Sequence, residues 1–272
     1  MIISIINHTN LKDEDIHHAI RVVNRQIEED FEPYWSLGAK LRLEGRGDLK
    51  PEIEDPSDMR GDAIIYMWDD ENVENALGYH DQNHRGIPFG FVFTRLSESL
   101  GESWTVTLSH EALELIADPE VNLLVAGPHP TESIDVFHWY EMCDAVQAET
   151  YKIDEIDVSN FVLPLYFTGS EELGGRNDFL RRHYDGKTLE SFKVNPGGYI
   201  GFFNPVTGQH ETYSMKGDKA AQKRIQIKSL LKCARRAIRY QRFEKGKSLI
   251  KGLPHRELIR RTARKHRTHK AA

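Results

Sequence analysis

Residues 109–119 read SHEALELIADP, and they begin like the H-E-x-x-H helix of a zinc protease before Glu114 takes the place of the second histidine. At about 100° per residue, positions 104–118 put Thr107, His110, Glu111, Glu114 and Asp118 in one narrow stripe. Val106, Leu108, Ala112, Leu113, Leu115, Ile116 and Ala117 fill the remaining arc. The pattern predicts a helix buried on most sides with its polar stripe facing a cleft. Three carboxylates and an imidazole on one face, with no Lys or Arg among them, repel one another unless a positive charge comes from elsewhere. A metal ion would supply it. The competing reading is a buried helix whose acids pair with cations such as Arg176, Arg181 and Arg182.

Residues at i and i+4 stand one turn apart, so His110 and Glu114 could hold one ion together, with Glu111 placed to deprotonate a water as general base. Asp118 lies two turns from His110, about 12 Å along the axis, too far to share that ion on a straight helix. It reads as a turn or hydrogen-bonding residue before Pro119, with a supporting or alternative ligand role kept open. A catalytic zinc needs a further protein ligand. The segment FHWYEMCDAV at 137–146 offers Glu141 as that ligand, while Asp144 could orient His110 or be the ligand itself. His138 and Cys143, single residues in an aromatic and apolar stretch, read more simply as core.

Outward from this helix, IISII at 2–6 reads as a buried first strand. Leu11, Ile16, Ile20, Val23 and Ile27 then mark a long amphipathic helix. A turn at Pro33 precedes a strand near 39–43, and the apolar run DAIIYMWDD at 62–70 suits a central strand. FGFVF at 89–93 reads as a strand, which in the zinc-protease reading would run along the cleft and could take an extended peptide as an added strand, against the plainer reading as an ordinary sheet edge. YHDQNH at 79–84 offers His80, Asp81 and His84 as a second metal site or cleft rim, against the commoner reading as exposed loop residues. NPGGYIGFF at 195–203 lacks the spacing and Lys of a phosphate-binding loop and reads as a turn between strands.

The 272 residues, 39% of them apolar, suffice for one large domain and an appendage. The opening MIISII is too short for a signal sequence, and no apolar run reaches the roughly 18 residues of a membrane span. Two cysteines, Cys143 and Cys233, give no disulfide framework, so reduced thiols and a cytoplasmic location are expected. The net charge of −6 hides a change of sign near residue 215. Residues 216–272 carry 20 Lys and Arg against three acids, a net of +17, which leaves −23 on residues 1–215.

The segments LGYHDQNHRGIPFGFVF, TLSHEALELIADPEVNLLVAGPHP, FHWYEMCDAVQAE, VSNFVLPLYFTG and NPGGYIGFF together resemble a family of uncharacterised bacterial and phage-associated proteins regarded as zincin-like metallopeptidases. The resemblance covers most of residues 1–215. It implies an α+β zincin-like fold, similar to the N-terminal half of metzincins, with a mixed sheet and an active-site helix. The change of charge sign near residue 215 sets the domain boundary, with a domain at 1–215 followed by a basic helical extension at 216–272. His110 matches the first zinc-binding His of zincins and Glu111 the general base. Glu114 departs from the second His and makes the donor set harder, so Mn or Ca stands beside Zn as the expected ion. No HxxGxxH or HxxGxxD continuation follows, so the metzincin third ligand is absent. Met142 lies where a Met-turn could be, though core packing explains it equally.

Residues 219–242 read as a basic amphipathic helix with Ala221, Ile225, Leu230, Ala234, Ala237 and Ile238 near one face. Such a segment could dock on the acidic domain, bind nucleic acid through phosphate contacts or lie on an anionic membrane surface. Two function classes follow. One is a zinc-dependent peptidase acting on a peptide or protein substrate. The other is a non-catalytic zincin-like module whose basic tail binds nucleic acid or a partner protein.

Overall fold

The computed structural model describes residues 1–46, 61–70, 77–82, 88–170 and 175–215. The expected basic helix at 219–242, the tail boundary at 216, and Asn83 and His84 of the YHDQNH stretch lie outside the described residues.

The architecture is mixed α+β, and its main layer is a five-stranded mixed sheet. Strand β1 (Ile2–His8) lies parallel to β2 (Lys40–Arg46) on one side and to β3 (Ala63–Trp68) on the other. β3 is in turn parallel to β5 (Pro88–Phe93), and β4 (Gly78–Gln82) closes the order β2-β1-β3-β5-β4 as an antiparallel partner of β5. The 89–93 stretch is therefore interior, and β4 is the edge among the described residues. The apolar composition explains this correction: every residue of PFGFVF is buried, as a strand covered on both faces requires.

Alternation sorts the side chains of this sheet onto two faces. Ile64, Tyr66 and Trp68 of β3, Tyr79 of β4 and Phe89, Phe91 and Phe93 of β5 form an aromatic layer on one face. Rings there stack with centroids 5.1 Å apart for Tyr66–Phe91 and Tyr79–Phe91. The opposite face carries Ala63, Ile65, Met67 and Val92 into the principal core, where helices α1 (Asp13–Arg25) and α4 (Trp104–Ala117) pack. Between them in sequence, α1 continues into a π-helical segment (Gln26–Phe31) and the short α2 (Glu32–Trp35), so the turn expected at Pro33 is helical and the reversal follows at Ser36, in the left-handed region. Helix α3 (Thr94–Ser99) leads from β5 toward α4.

After α4 the chain forms a second, antiparallel sheet in the order β11-β10-β7-β6, from β6 (Leu124–Pro128), β7 (Asp135–Trp139), β10 (Tyr199–Asn204) and β11 (Gln209–Ser214). A hairpin of β8 (Thr150–Ile153) and β9 (Ile156–Ser159) completes the described elements together with two 3₁₀ turns at Asp144–Val146 and Pro164–Thr168. Among the described residues no helix is long and apolar enough to cross a membrane.

Candidate metal centre

Helix α4 is held in place before its chemistry begins. Ser103 caps it, its Oγ accepting from the Thr105 N–H at 3.3 Å. Halfway along, Ser109 Oγ donates to Gln26 Oε1 (2.6 Å) and accepts from the Ser159 N–H (3.0 Å). Gln26 Nε2 in turn donates to Ser159 O (2.8 Å). These bonds fix the rotation of the helix immediately before His110. All residues from Thr105 to Ala117 are buried, so the polar stripe expected to face a cleft is enclosed instead. The reason is visible in the elements around it: the main sheet covers one side and the 140–147 turn and β9 cover others.

His110, Glu111 and Glu114 meet residues from two other places in the fold. His80 enters from β4, where strand alternation turns Gly78 and His80 toward α4 and Tyr79 away from it. Its Cα partner across the ladder is Gly90, which has no side chain to compete for the space. His80 Nδ1 lies 3.2 Å from Glu111 Oε2 and 3.8 Å from Glu114 Oε2, and its Nε2 lies 3.7 Å from Glu141 Oε2. His110 Nε2 lies 3.2 Å from Glu114 Oε2 and 3.3 Å from Asp144 Oδ1. Neither of these His110 contacts has hydrogen-bond geometry, although the nitrogen is buried.

The turn that carries Glu141 and Asp144 is pinned at several points. The Cys143 N–H donates to Glu114 Oε1 (3.2 Å), Met142 O accepts from the Val162 N–H (2.7 Å) and Ala145 O accepts from the Asn195 N–H (3.0 Å). Gly198 permits this last approach, since a Cβ there would stand 2.0 Å from Ala145 O. Glu114 is thus fixed through one oxygen by the turn and presents the other to both imidazoles.

Four buried or nearly buried carboxylates so close together favour any positive charge placed among them. Burial disfavours the His110 imidazolium, but the charge of Glu114, the contacts with Asp144 and Glu114 and the charge of Glu111 outweigh it and push the pKa up to about 9. The Cys143 thiol is pushed well above its ordinary value by burial and then by Glu114, Asp144 and Glu111. Its Sγ faces His110 O at 3.8 Å. The donors fit a divalent cation: His110, Glu114 and Cys143 form one set with ligand atoms within 4.8 Å of one another, and His80, Glu111 and Glu114 form another.

Of the residues singled out from sequence, His110, Glu111, Glu114, Glu141 and Asp144 come together. Asp144 stands beside His110, whereas Glu141 stands beside His80. Asp118 does not join them; its two carboxylate oxygens accept the N–H groups of Asn122 (3.1 Å) and Leu123 (3.0 Å) and shape the turn after α4. His138 Nε2 lies 2.9 Å from Pro128 O, its ring against Phe192 and Phe202. Arg176 lies over the rings of Tyr34 and Phe179, and Arg182 donates to Thr150 O. His80, offered from the sequence with Asp81 and His84 as a second metal site or cleft rim against the commoner reading as an exposed loop residue, lies buried on strand β4 and joins the cluster.

Comparison of the chain with protein-family models, with curated proteins and with solved structures gives no match.

Proposed function

We propose that the chain is a metal-dependent hydrolase of zincin-like architecture, a zinc peptidase in its simplest form. The observation that carries this reading is the convergence of His110 and Glu114, one turn apart on a buried helix, with Asp144 beside His110. His110 and Glu114 are the proposed ligands of a first ion, with Cys143 Sγ in the same compact set and Asp144 beside His110 as a further donor. A divalent cation held there would supply Lewis acidity for a substrate carbonyl and would make a nearby water easier to deprotonate. Glu111, the neighbour of His110 in sequence, takes the proton. His80 steadies Glu111 through Nδ1 and is itself oriented by Glu141. The placement of α4 against an antiparallel edge strand of a mixed sheet supports the zincin-like comparison drawn from the sequence.

The test is Glu111→Gln in the full chain, with ion content and hydrolysis of a quenched-fluorescence peptide library both measured. Loss of turnover by about 10²-fold or more, with the His110 ion retained, is the expected result. A wild-type chain that carries an ion and turns over as well as Glu111→Gln would overturn the assignment of the base.

A second reading rests on charge alone. The +17 of residues 216–272 suits phosphate contacts, and a nucleic-acid-binding role predicts affinity that falls steeply with salt.

A further inference from the structure

The donors of the centre do not form a single set. His110 Nε2, Glu114 and Cys143 Sγ lie within 4.8 Å of one another, and so do the ligand atoms of His80, Glu111 and Glu114, but the two imidazoles belong to different sets. Around one first-row ion with bonds of about 2.0–2.3 Å, ligand atoms stand about 3–4.5 Å apart, so each set matches one ion. Glu114 belongs to both. Its Oε2 is the atom nearest each imidazole, 3.2 Å from His110 Nε2 and 3.8 Å from His80 Nδ1, while the Cys143 N–H holds Oε1.

We infer that the centre takes two divalent first-row cations, with Glu114 as the carboxylate they share. The first ion is the one proposed above, on His110 and Glu114, with Cys143 Sγ in the same compact set and Asp144 beside His110. The second lies between His80 Nδ1, Glu111 and Glu114.

Three features support the pair. His110 Nε2 is buried, finds no hydrogen-bond partner among the described residues and points between Glu114 and Asp144, as a ligand nitrogen should. His80 meets Glu111 and Glu114 through one ring nitrogen and Glu141 through the other, which is how a carboxylate orients a metal-binding imidazole. Finally, paired ions in two-metal sites stand about 3.5–4 Å apart, a spacing that one bridging carboxylate between adjacent histidines can set. Imidazole with carboxylate donors suits Mn²⁺ or Zn²⁺.

The inference rests on the proposed function for its first ion and alters the roles of Glu111 and His80 within it. With the second ion bound, His80 Nδ1 and one Glu111 oxygen would be ligands, and the other Glu111 oxygen would accept the proton of a water that the cations make more acidic.

The experiment uses the untagged full chain, stripped with chelator, dialysed against Mn²⁺ and measured by elemental mass spectrometry and electron paramagnetic resonance. Two equivalents of Mn²⁺ with an exchange-coupled signal are expected. His80→Ala and the nearly isosteric Glu111→Gln should each bind one equivalent and give the uncoupled six-line signal. One equivalent in the wild type would overturn the pair and leave the single-ion hydrolase standing. Two equivalents without coupling would also overturn it, because the ions would then be far apart. No bound ion would overturn both readings. The wild-type count and its spectrum decide the question even if His80→Ala fails to fold, and circular dichroism identifies that failure.

Discussion

Gly78→Ala tests how tightly the edge strand presses on the helix that bears the centre. A Cβ at Gly78 would stand 2.7 Å from Phe91 O, 2.7 Å from Thr107 Cγ2 and 2.9 Å from Glu111 Cγ. One of these neighbours is backbone in the adjacent strand, and the others belong to α4, whose rotation is fixed by Ser109 and Gln26. Overpacking of this kind costs about 1–3 kcal/mol. Replacing glycine returns about 0.4–1 kcal/mol by restricting the unfolded chain, so a net loss of about 1–2 kcal/mol is expected. For a domain of this size that lowers Tm by about 3–6 °C. Scanning calorimetry of the metal-free chain measures it. Because Glu111 Cγ must move, weaker binding of added Mn²⁺ should accompany the loss. Gly90→Ala is the comparison: its nearest neighbour would be Tyr79 O at 3.2 Å, so its cost should be smaller. An unchanged or raised Tm for Gly78→Ala, or a larger loss for Gly90→Ala, would refute the argument that close contact between β4 and α4 sets the geometry of the site.

Two further outcomes are expected. Asp118→Ala removes the acceptors of two backbone N–H groups and should cost about 1–2 kcal/mol in urea unfolding, with ion content unchanged; loss of an ion would make Asp118 a ligand after all. The second concerns Asp178, whose carboxylate is buried and whose Oδ1 has no hydrogen-bond partner among the described residues. Burial raises its pKa, against the opposing hydrogen bonds from Asn160 and the Arg181 N–H. With the folded value above the unfolded one, its stabilising contribution is whole below the ordinary carboxylate pKa and is lost as pH rises through the raised value. The stability of wild type relative to Asp178→Asn should therefore decline from pH 4 to pH 8; a flat difference, or one that grows, would contradict the assignment.

The elements that were plain in the sequence are those where composition leaves one solution. The run AIIYMW suited a central strand, and the apolar arc of 104–117 a helix buried on most sides. Strand order was less accessible, because FGFVF is equally apolar at an edge or inside a sheet, and periodicity does not say which strand lies beside which. The expected cleft failed for a related reason: a polar stripe on a helix does not show whether other chain segments will close over it. Asp144 and Glu141 were both visible as acids near the site, yet their division between His110 and His80 depends on an irregular turn ending in a 3₁₀ segment, which helical spacing does not describe. His80 was visible as a possible metal-site residue, but its place beside Glu111 and Glu114 was not, since GYHDQ reads as a loop and becomes a buried strand only when paired with β5. The π-helical segment at Gln26–Phe31, which helps bring Gln26 to Ser109, has no comparable signature in the helical periodicity of α1.

The central claim is that the chain binds a divalent cation through His110 and Glu114. Elemental mass spectrometry on untagged protein, wild type beside His110→Ala, tests it most directly. At least one equivalent of Zn or Mn in the wild type, with at least one equivalent lost in the variant, is the predicted result. No ion in either protein after both metals have been supplied, or equal content in the two, would contradict it.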